Sequence, residues 1–231
     1  MKNNTNSQIY LPNNQNSNSN VVSPTLSNSE INYSKQILST TTESQYHPTI
    51  TLSKSHNFQY KNVEQNTICN GHPQLTSAIE LVAEWFLSMA SMSNKKLQKL
   101  CYYAYCWFIV FSNDAEVIED NTQHNLHVLG DEKFQAWIHG PVSQLLYKRY
   151  KEFGWIDIPK KPTKPNISEE LESLLQQVWD TYGIYSADEL ELISHNETPW
   201  KNARKGKNPG EACFNIISDS DIFEYYSRLA T

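Results

Sequence analysis

The first 74 residues contain no tryptophan, a single phenylalanine (Phe58), a single glycine (Gly71) and no sustained apolar period. Asn, Ser, Thr and Gln dominate them, and such a stretch cannot bury enough apolar surface to offset the entropy of ordering its backbone. Residues 1–74 are therefore expected to form a disordered N-terminal extension, with short extended pieces near residues 33–38 and 49–52 that have no identifiable partner. A long hydrophobic run is also missing. The longest, residues 100–111, is too short to span a bilayer, and the opening Met-Lys-Asn-Asn-Thr-Asn lacks the apolar region of a secretory signal. These absences point to a cytoplasmic protein with no membrane partner. Four cysteines, Cys69, Cys101, Cys106 and Cys213, do not make a disulfide framework in 231 residues and fit reduced thiols. Positive charge is in deficit as well. Residues 75–231 carry fifteen basic against twenty-two acidic side chains, a net of about −7, which argues against direct reading of nucleic acid, with a local patch at Lys95, Lys96 and Lys99 left open. No internal repeat of fixed period is visible, which sets aside a solenoid.

What is present begins after that lead. All six tryptophans fall beyond residue 74, and residues 75–231 suffice for one ordinary hydrophobic core. Their organising stretch is residues 134–154. It starts in alternation, with Phe134, Ala136 and Ile138 on one face and Gln135, Trp137 and His139 on the other. At Gly140-Pro141 it changes to helical spacing through Val142, Leu145, Leu146, Arg149 and Phe153, and proline suits the first helical position. The pattern predicts a strand that turns straight into a helix, with Gly154 as a left-handed stop. Residues 116–119 are the expected antiparallel partner of the Phe134 strand, joined to it by a long, mobile loop over residues 120–132.

Helix signals flank this stretch. Ser77-Ala-Ile-Glu80 and Ser186-Ala-Asp-Glu189 are capping boxes, and Ser93-Asn94, Ser168 and Ser218 stand ready to cap further helices. Thr198-Pro199 opens a short helix over residues 200–204. The helix beginning near Ser93 carries Leu97, Leu100, Cys101, Ala104, Phe108 and Phe111 on one face and Tyr103, Trp107 and Val110 opposite, so it is expected to lie at the centre. Three prolines in residues 159–165 exclude regular structure there. The fold class expected is mainly α, a compact multi-helix domain with one small antiparallel β-hairpin.

Three motifs read together carry a family resemblance. Leu97-Gln-Lys-Leu-Cys-Tyr-Tyr-Ala-Tyr-Cys-Trp107, Phe134-Gln-Ala-Trp-Ile-His-Gly-Pro-Val142 with Tyr147, and Pro199-Trp-Lys-Asn-Ala-Arg204, in this order, resemble the Panacea domain, the SocA-like, phage-associated GepA-type family. The resemblance runs from about residue 75 to the C-terminus and implies an antitoxin of a toxin-antitoxin system that neutralises a cognate toxin by direct protein contact. A family member that delivers its toxin to a processive protease makes a proteolytic adaptor the alternative. A transcriptional regulator of its own operon is the weaker one. The long N-terminal extension and the expanded loop at residues 120–132 depart from the family's minimal domain.

Residue types suited to chemistry are also present. Cys101, Cys106, His124 and His127 are zinc-binding types, yet positions five apart on a helix lie about 140° apart around its axis, so the two thiols do not share an ion. Cys101, His139 and Asp157 offer the types of a nucleophile, a base and an orienting group, although nothing in their spacing requires it. His195-Asn-Glu197 has the His-x-Glu of zinc deaminases without the accompanying Cys-x-x-Cys. The reading is accordingly of a protein with no catalytic residue, cofactor or metal. The candidate toxin-binding surface is Trp137, His139, Gly140, Pro141, Tyr147, Trp200 and Arg204. Gly140-Pro141 also reads as a simple strand-to-helix turn. Trp137 and His139 fit either exposed surface or a core in which Trp137 meets Tyr103 or Trp107. Trp200 and Arg204 either hold the domain's end or extend the same surface.

Overall fold

The computed structural model describes residues 48, 50, 65–69, 72–113 and 126–230. Among them are seven α-helices and two antiparallel strand pairs. Strand β1 (Gln65–Cys69) pairs with β2 (His72–Thr76). Helices α1 (Ala78–Met89) and α2 (Asn94–Phe111) follow, and then the hairpin of β3 (Phe134–Trp137) and β4 (Gly140–Ser143). After these come α3 (Gln144–Tyr150), α4 (Glu169–Tyr182), α5 (Ala187–Asn196), α6 (Thr198–Ala203) and α7 (Asp219–Ser227).

Helix starts fall where short polar side chains satisfy the orphan amides of the first turn. Glu80 Oε2 accepts from Ser77 N–H at 3.1 Å, and Ser93 Oγ accepts from Lys96 N–H at 3.3 Å. Ser168, Ser186 and Ser218 cap α4, α5 and α7 in the same manner. Gly183 ends α4, though with right-handed backbone. What the position requires is space, because a Cβ there would stand 2.5 Å from the carbonyl oxygen of Trp179.

Helix α2 is the axis of the molecule, and every residue from 97 to 110 is buried. Helices α1, α3, α4, α5 and α7 and strand β4 surround it, so both of its apolar faces are used. Trp107 sits wholly inside, donates from Nε1 to Tyr182 Oη at 3.0 Å and meets the Tyr226 ring edge-on. Tyr103 stacks on Tyr182 with ring centroids 4.0 Å apart. Glu197, just ahead of α6, is completely buried and accepts from Tyr226 Oη at 2.8 Å. The open question of a basic patch closes here. Lys99 is 1% exposed, Lys95 pairs with Asp188 and Glu191, and Lys96 donates to Gly183 O.

Three expectations are corrected. Pro141 does not begin a helix; it lies in β4 opposite Ala136, and the helix begins at Gln144 with Ser143 Oγ accepting from Leu146 N–H. The reason is that Ile138-His139 makes a two-residue turn, after which Gly140 takes φ +93° and returns the chain antiparallel to β3. Consequently β3 pairs with β4, while the proposed partner at residues 116–119 lies outside the described residues. As a turn residue Ile138 leaves the core face and is exposed, unlike Phe134 and Ala136. Within the lead expected to be disordered, residues 48, 50, 65–69 and 72–74 are among those described. Ile50 is buried in the core, Tyr182 Oη donates to Pro48 O at 2.9 Å, and β1 belongs wholly to the expected disordered lead. The extended pieces at residues 33–38 and most of residues 49–52 lie outside the described residues, as do residues 120–125 of the long loop. The described end of that loop is anchored: Leu129 is buried, and Glu132 Oε1 accepts from Ser143 Oγ at 3.0 Å and Leu145 N–H at 3.3 Å.

Residues 159–165 hold no regular structure. In the preceding Trp155-Ile-Asp-Ile158 only Ile158 is buried, exchanging two backbone hydrogen bonds with Met92.

Candidate functional site

A third short strand completes the sheet around Trp137. Ala136 N–H donates to Asn215 O at 2.9 Å and Ile217 N–H to Phe134 O at 2.8 Å, laying residues 215–217 antiparallel along β3. Phe134, Ala136 and Ile217 face inward and are buried. Gln135, Trp137, Phe214 and Ile216 occupy the other face, because successive side chains of a strand alternate. Trp137 is half-buried there. Its ring meets Tyr147 edge-on at 4.9 Å and Phe214 at 5.6 Å, and its Nε1 donates to Gln135 Oε1 at 2.8 Å. Tyr147 remains 40% exposed, Phe214 60% and Ile216 58%. Trp137 thus touches neither Tyr103 nor Trp107; it anchors an outward aromatic face.

Of the seven residues singled out in the sequence, Trp137 and Tyr147 join directly on that face, and Trp200 and Arg204 support it from beneath. Trp200 Nε1 donates to Trp137 O at 3.2 Å. Arg204 is buried beside the Trp200 ring, and its guanidinium donates to Ala136 O at 2.9 Å and Glu211 O at 2.7 Å. Helix α6 therefore positions both, because the proline at its start and the four-residue spacing bring Trp200 and Arg204 to one side. Gly140 and Pro141 are buried and offer no contact area themselves. A Cβ on Gly140 would lie 2.6 Å from Lys99 Cε, and Pro141 O accepts from Lys99 Nζ at 3.0 Å, so a buried amine fixes the hairpin from within.

His139 sits apart at the exposed turn. Its Nδ1 bonds Glu191 Oε1 at 3.0 Å, and Glu191 also pairs with Lys95. Burial pushes the Glu191 carboxyl up, but hydrogen bonds from Lys95 and His139 outweigh it and hold the group below its ordinary value. Nearby, burial pushes the Lys99 amine down to about 7 against the opposing charge of Glu191, and burial lowers His195, stacked on Trp200 at 4.1 Å, to about 4.

The other sequence candidates occupy separate places. Cys101 and Cys106 are sealed in the core, where burial pushes both thiols well up. His127 is exposed, and its backbone binds the Asn113 side chain; His124 lies outside the described residues. Cys101 is buried in α2, His139 stands exposed with Glu191, and Asp157 is exposed, its charge acting on Lys96. Sequence reasoning missed Phe214, Ile216 and Glu191. Cys213-Phe-Asn-Ile-Ile217 does carry a faint strand signal, an apolar run between Pro209-Gly210 and the Ser218 cap, but one too short to stand out.

Most of the Trp137 face lies in a segment with relatives. Residues 119–201 match the antitoxin SocA-like, Panacea domain family. The match takes in the β3–β4 hairpin, α3 to α5 and Trp200, while α2, Arg204 and the strand at residues 215–217 lie outside it. No curated protein and no solved structure matches the chain. The Panacea match supports an antitoxin-like role and a protein partner in general. Among the described residues no helix is long and apolar enough to cross a membrane.

Proposed function

We propose that the chain is the antitoxin of a two-gene toxin-antitoxin pair and neutralises its cognate toxin, encoded in the neighbouring gene, by direct contact through the Trp137 face. The observation that carries this reading is the coincidence of the Panacea match with a preformed aromatic surface: Trp137 and Tyr147 lie inside the matched segment and meet at 4.9 Å with Tyr147 open to solvent. Aromatic side chains held rigid at low entropic cost are the usual anchors of protein interfaces. The supporting shell of Trp200 and Arg204 keeps that surface in shape before any partner arrives.

Co-expression with the product of the adjacent reading frame tests the reading. That product alone arrests growth, and growth returns beside the wild-type chain. If the product is harmless alone, or stays toxic in the chain's presence, the antitoxin reading is lost. Tyr147→Ala removes an anchor without disturbing the core and is expected to weaken the complex about 30-fold, the ordinary effect of a hot-spot truncation near 2 kcal/mol.

A second reading, a proteolytic adaptor, draws support from the Asn/Ser-rich lead, since delivery to a processive protease uses a long polar segment. Masking leaves the toxin's half-life unchanged; delivery shortens it, and removing residues 1–47 then restores it.

A further inference from the structure

The strand at residues 215–217 has one edge occupied and one open. Its bonds to β3 run through Asn215 O and Ile217 N, which makes Gln135 and Ile216 a non-hydrogen-bonded pair. Antiparallel ladders alternate, so the N–H and C=O of Ile216, and those of Phe214 two residues earlier, point away from β3. Among the described residues nothing bonds these four groups. The strand itself is already fixed: Asn215 Nδ2 donates to Ala203 O at 2.8 Å, and Cys213 and Ile217 are buried on either side.

Protected edges carry lysine, proline or inward charges, and Cys213-Phe-Asn-Ile-Ile217 has none of these. Nor do the flanking charges defend it, because Lys133 pairs with Asp219 at 2.6 Å and Lys207 with Glu211 at 2.5 Å. What the edge presents is an uncharged ladder of two donors and two acceptors. Beside it lie the exposed Phe214 and Ile216 side chains, with Trp137 against Phe214.

From this we infer that residues 214–216 are a docking edge for an extended, uncharged segment of the protein partner, which adds to the sheet as a further strand with apolar side chains at alternate positions. The inference rests on the antitoxin reading for the identity of that partner and deepens it, since it states the form of the contact. An extended occupant follows from the backbone groups themselves, which only another strand can satisfy in series. A neutral one follows from the paired charges at both ends.

The decisive measurement is amide hydrogen exchange on the full chain, alone and with the purified product of the adjacent gene. Alone, the amides of Phe214 and Ile216 exchange fast while that of Ile217 is protected; with the product bound, the first two slow at least about tenfold. Ile216→Pro deletes the outward N–H and replaces the side chain while leaving Asn215 O and Ile217 N in place, and is expected to weaken binding about tenfold or more; Ile216→Thr, which also gives up apolar side chain but keeps the N–H, retains more of the affinity. The exchange measurement needs no variant, so it stands even where Ile216→Pro unfolds.

Several results overturn the proposal. Protection of Phe214 and Ile216 in the isolated monomer means that another part of the chain covers the edge. A dimer that Ile216→Pro dissolves means that a second copy is its occupant. Binding of the product with both amides still exchanging fast sinks the edge and leaves the antitoxin reading standing. Should the wild-type chain fail to bind the product, it is the antitoxin reading that falls, and acetyl-Thr-Val-Thr-Val-Thr-Val-Thr-amide at millimolar concentration then decides the edge: slowed exchange at Phe214 and Ile216 upholds it, and unchanged exchange rejects it.

Discussion

Arg204 offers the most searching test of how the Trp137 face is built. Its guanidinium is buried and pairs with no carboxylate among the described residues; it binds backbone carbonyls, at 2.9 Å to Ala136 and 2.7 Å to Glu211, with longer contacts at 3.2 Å to Asn208 and 3.4 Å to Pro209. Each of the two short bonds has a charged donor and contributes about 1.5–3 kcal/mol. Stacking on Trp200 adds about 0.5–2 kcal/mol. Arg204→Ala forfeits these contributions and leaves carbonyls unsatisfied, but it also removes the cost of desolvating a cation, which is several kcal/mol. The net loss expected is about 2–4 kcal/mol, or roughly 5–15 °C in Tm for a domain of this size. Arg204→Lys keeps the charge but not the fork, so it should recover less than half. Urea unfolding at pH 7, followed by far-ultraviolet circular dichroism, measures both variants. Exchange at the Ile217 amide reports whether the third strand loosens locally before the domain unfolds. A loss below about 0.5 kcal/mol for Arg204→Ala, or full recovery by lysine, refutes the claim that the fork ties β3 to residues 208–211.

Further predictions concern the core and the hairpin. Trp107→Ala should cost about 3–5 kcal/mol by urea unfolding, since the whole side chain is buried and its Nε1–H bonds Tyr182; an unshifted melting curve would show that α2 is not the axis. Gly140→Ala should cost about 2–4 kcal/mol, combining the strain of φ +93° with a Cβ 2.6 Å from Lys99 Cε, and Lys99→Ala should relieve part of that penalty in a double-mutant cycle. Burial puts the Lys99 amine at about 7, below the ordinary value of 10.5 that it regains on unfolding. Between those values the unfolded chain binds more protons, so stability rises with pH from about 7 to 10.5 and is reduced below 7. Lys99→Met, which has no proton to lose, should therefore gain most over wild type below pH 7 and lose that advantage, by up to about 1.4 kcal/mol per pH unit, as pH rises; a parallel pair of stability curves across that range counts against it.

Much of this architecture was legible because it rests on local chemistry. Ser77, Ser93, Ser168, Ser186 and Ser218 each precede a helix for a reason visible within four residues. The all-round apolar pattern of residues 97–110 signalled a central helix equally directly. Pro141 misled because its two roles share one signature: fixed φ and a missing N–H fit a helix start and also a strand position that donates no ladder bond. The deciding factor was distant in sequence, namely Lys99 and Ser194 crowding Gly140. Trp137, Tyr147, Trp200 and Arg204 do come together in space, yet the sequence could not say that two face outward and two lie beneath them. Phe214 and Ile216 escaped because their strand acquires its identity only by pairing with β3, a contact spanning some eighty residues. Ile50 escaped for a related reason: an isolated apolar residue in a polar stretch carries no period, and its place is made by a core distant in sequence.

The hydrogen-bonded relay through Tyr182 bears on how the protein should be shortened for study. Its hydroxyl accepts a hydrogen bond from Trp107 Nε1 and donates its own to Pro48 O, while Ile50 is buried in the core. A version trimmed to begin at residue 75, where the composition changes, would remove the Pro48 acceptor and the buried Ile50 side chain. Trimming ahead of residue 48 keeps both, and the two lengths, compared by melting temperature, would reveal how far Pro48 and Ile50 of an apparently featureless leader serve as a plug.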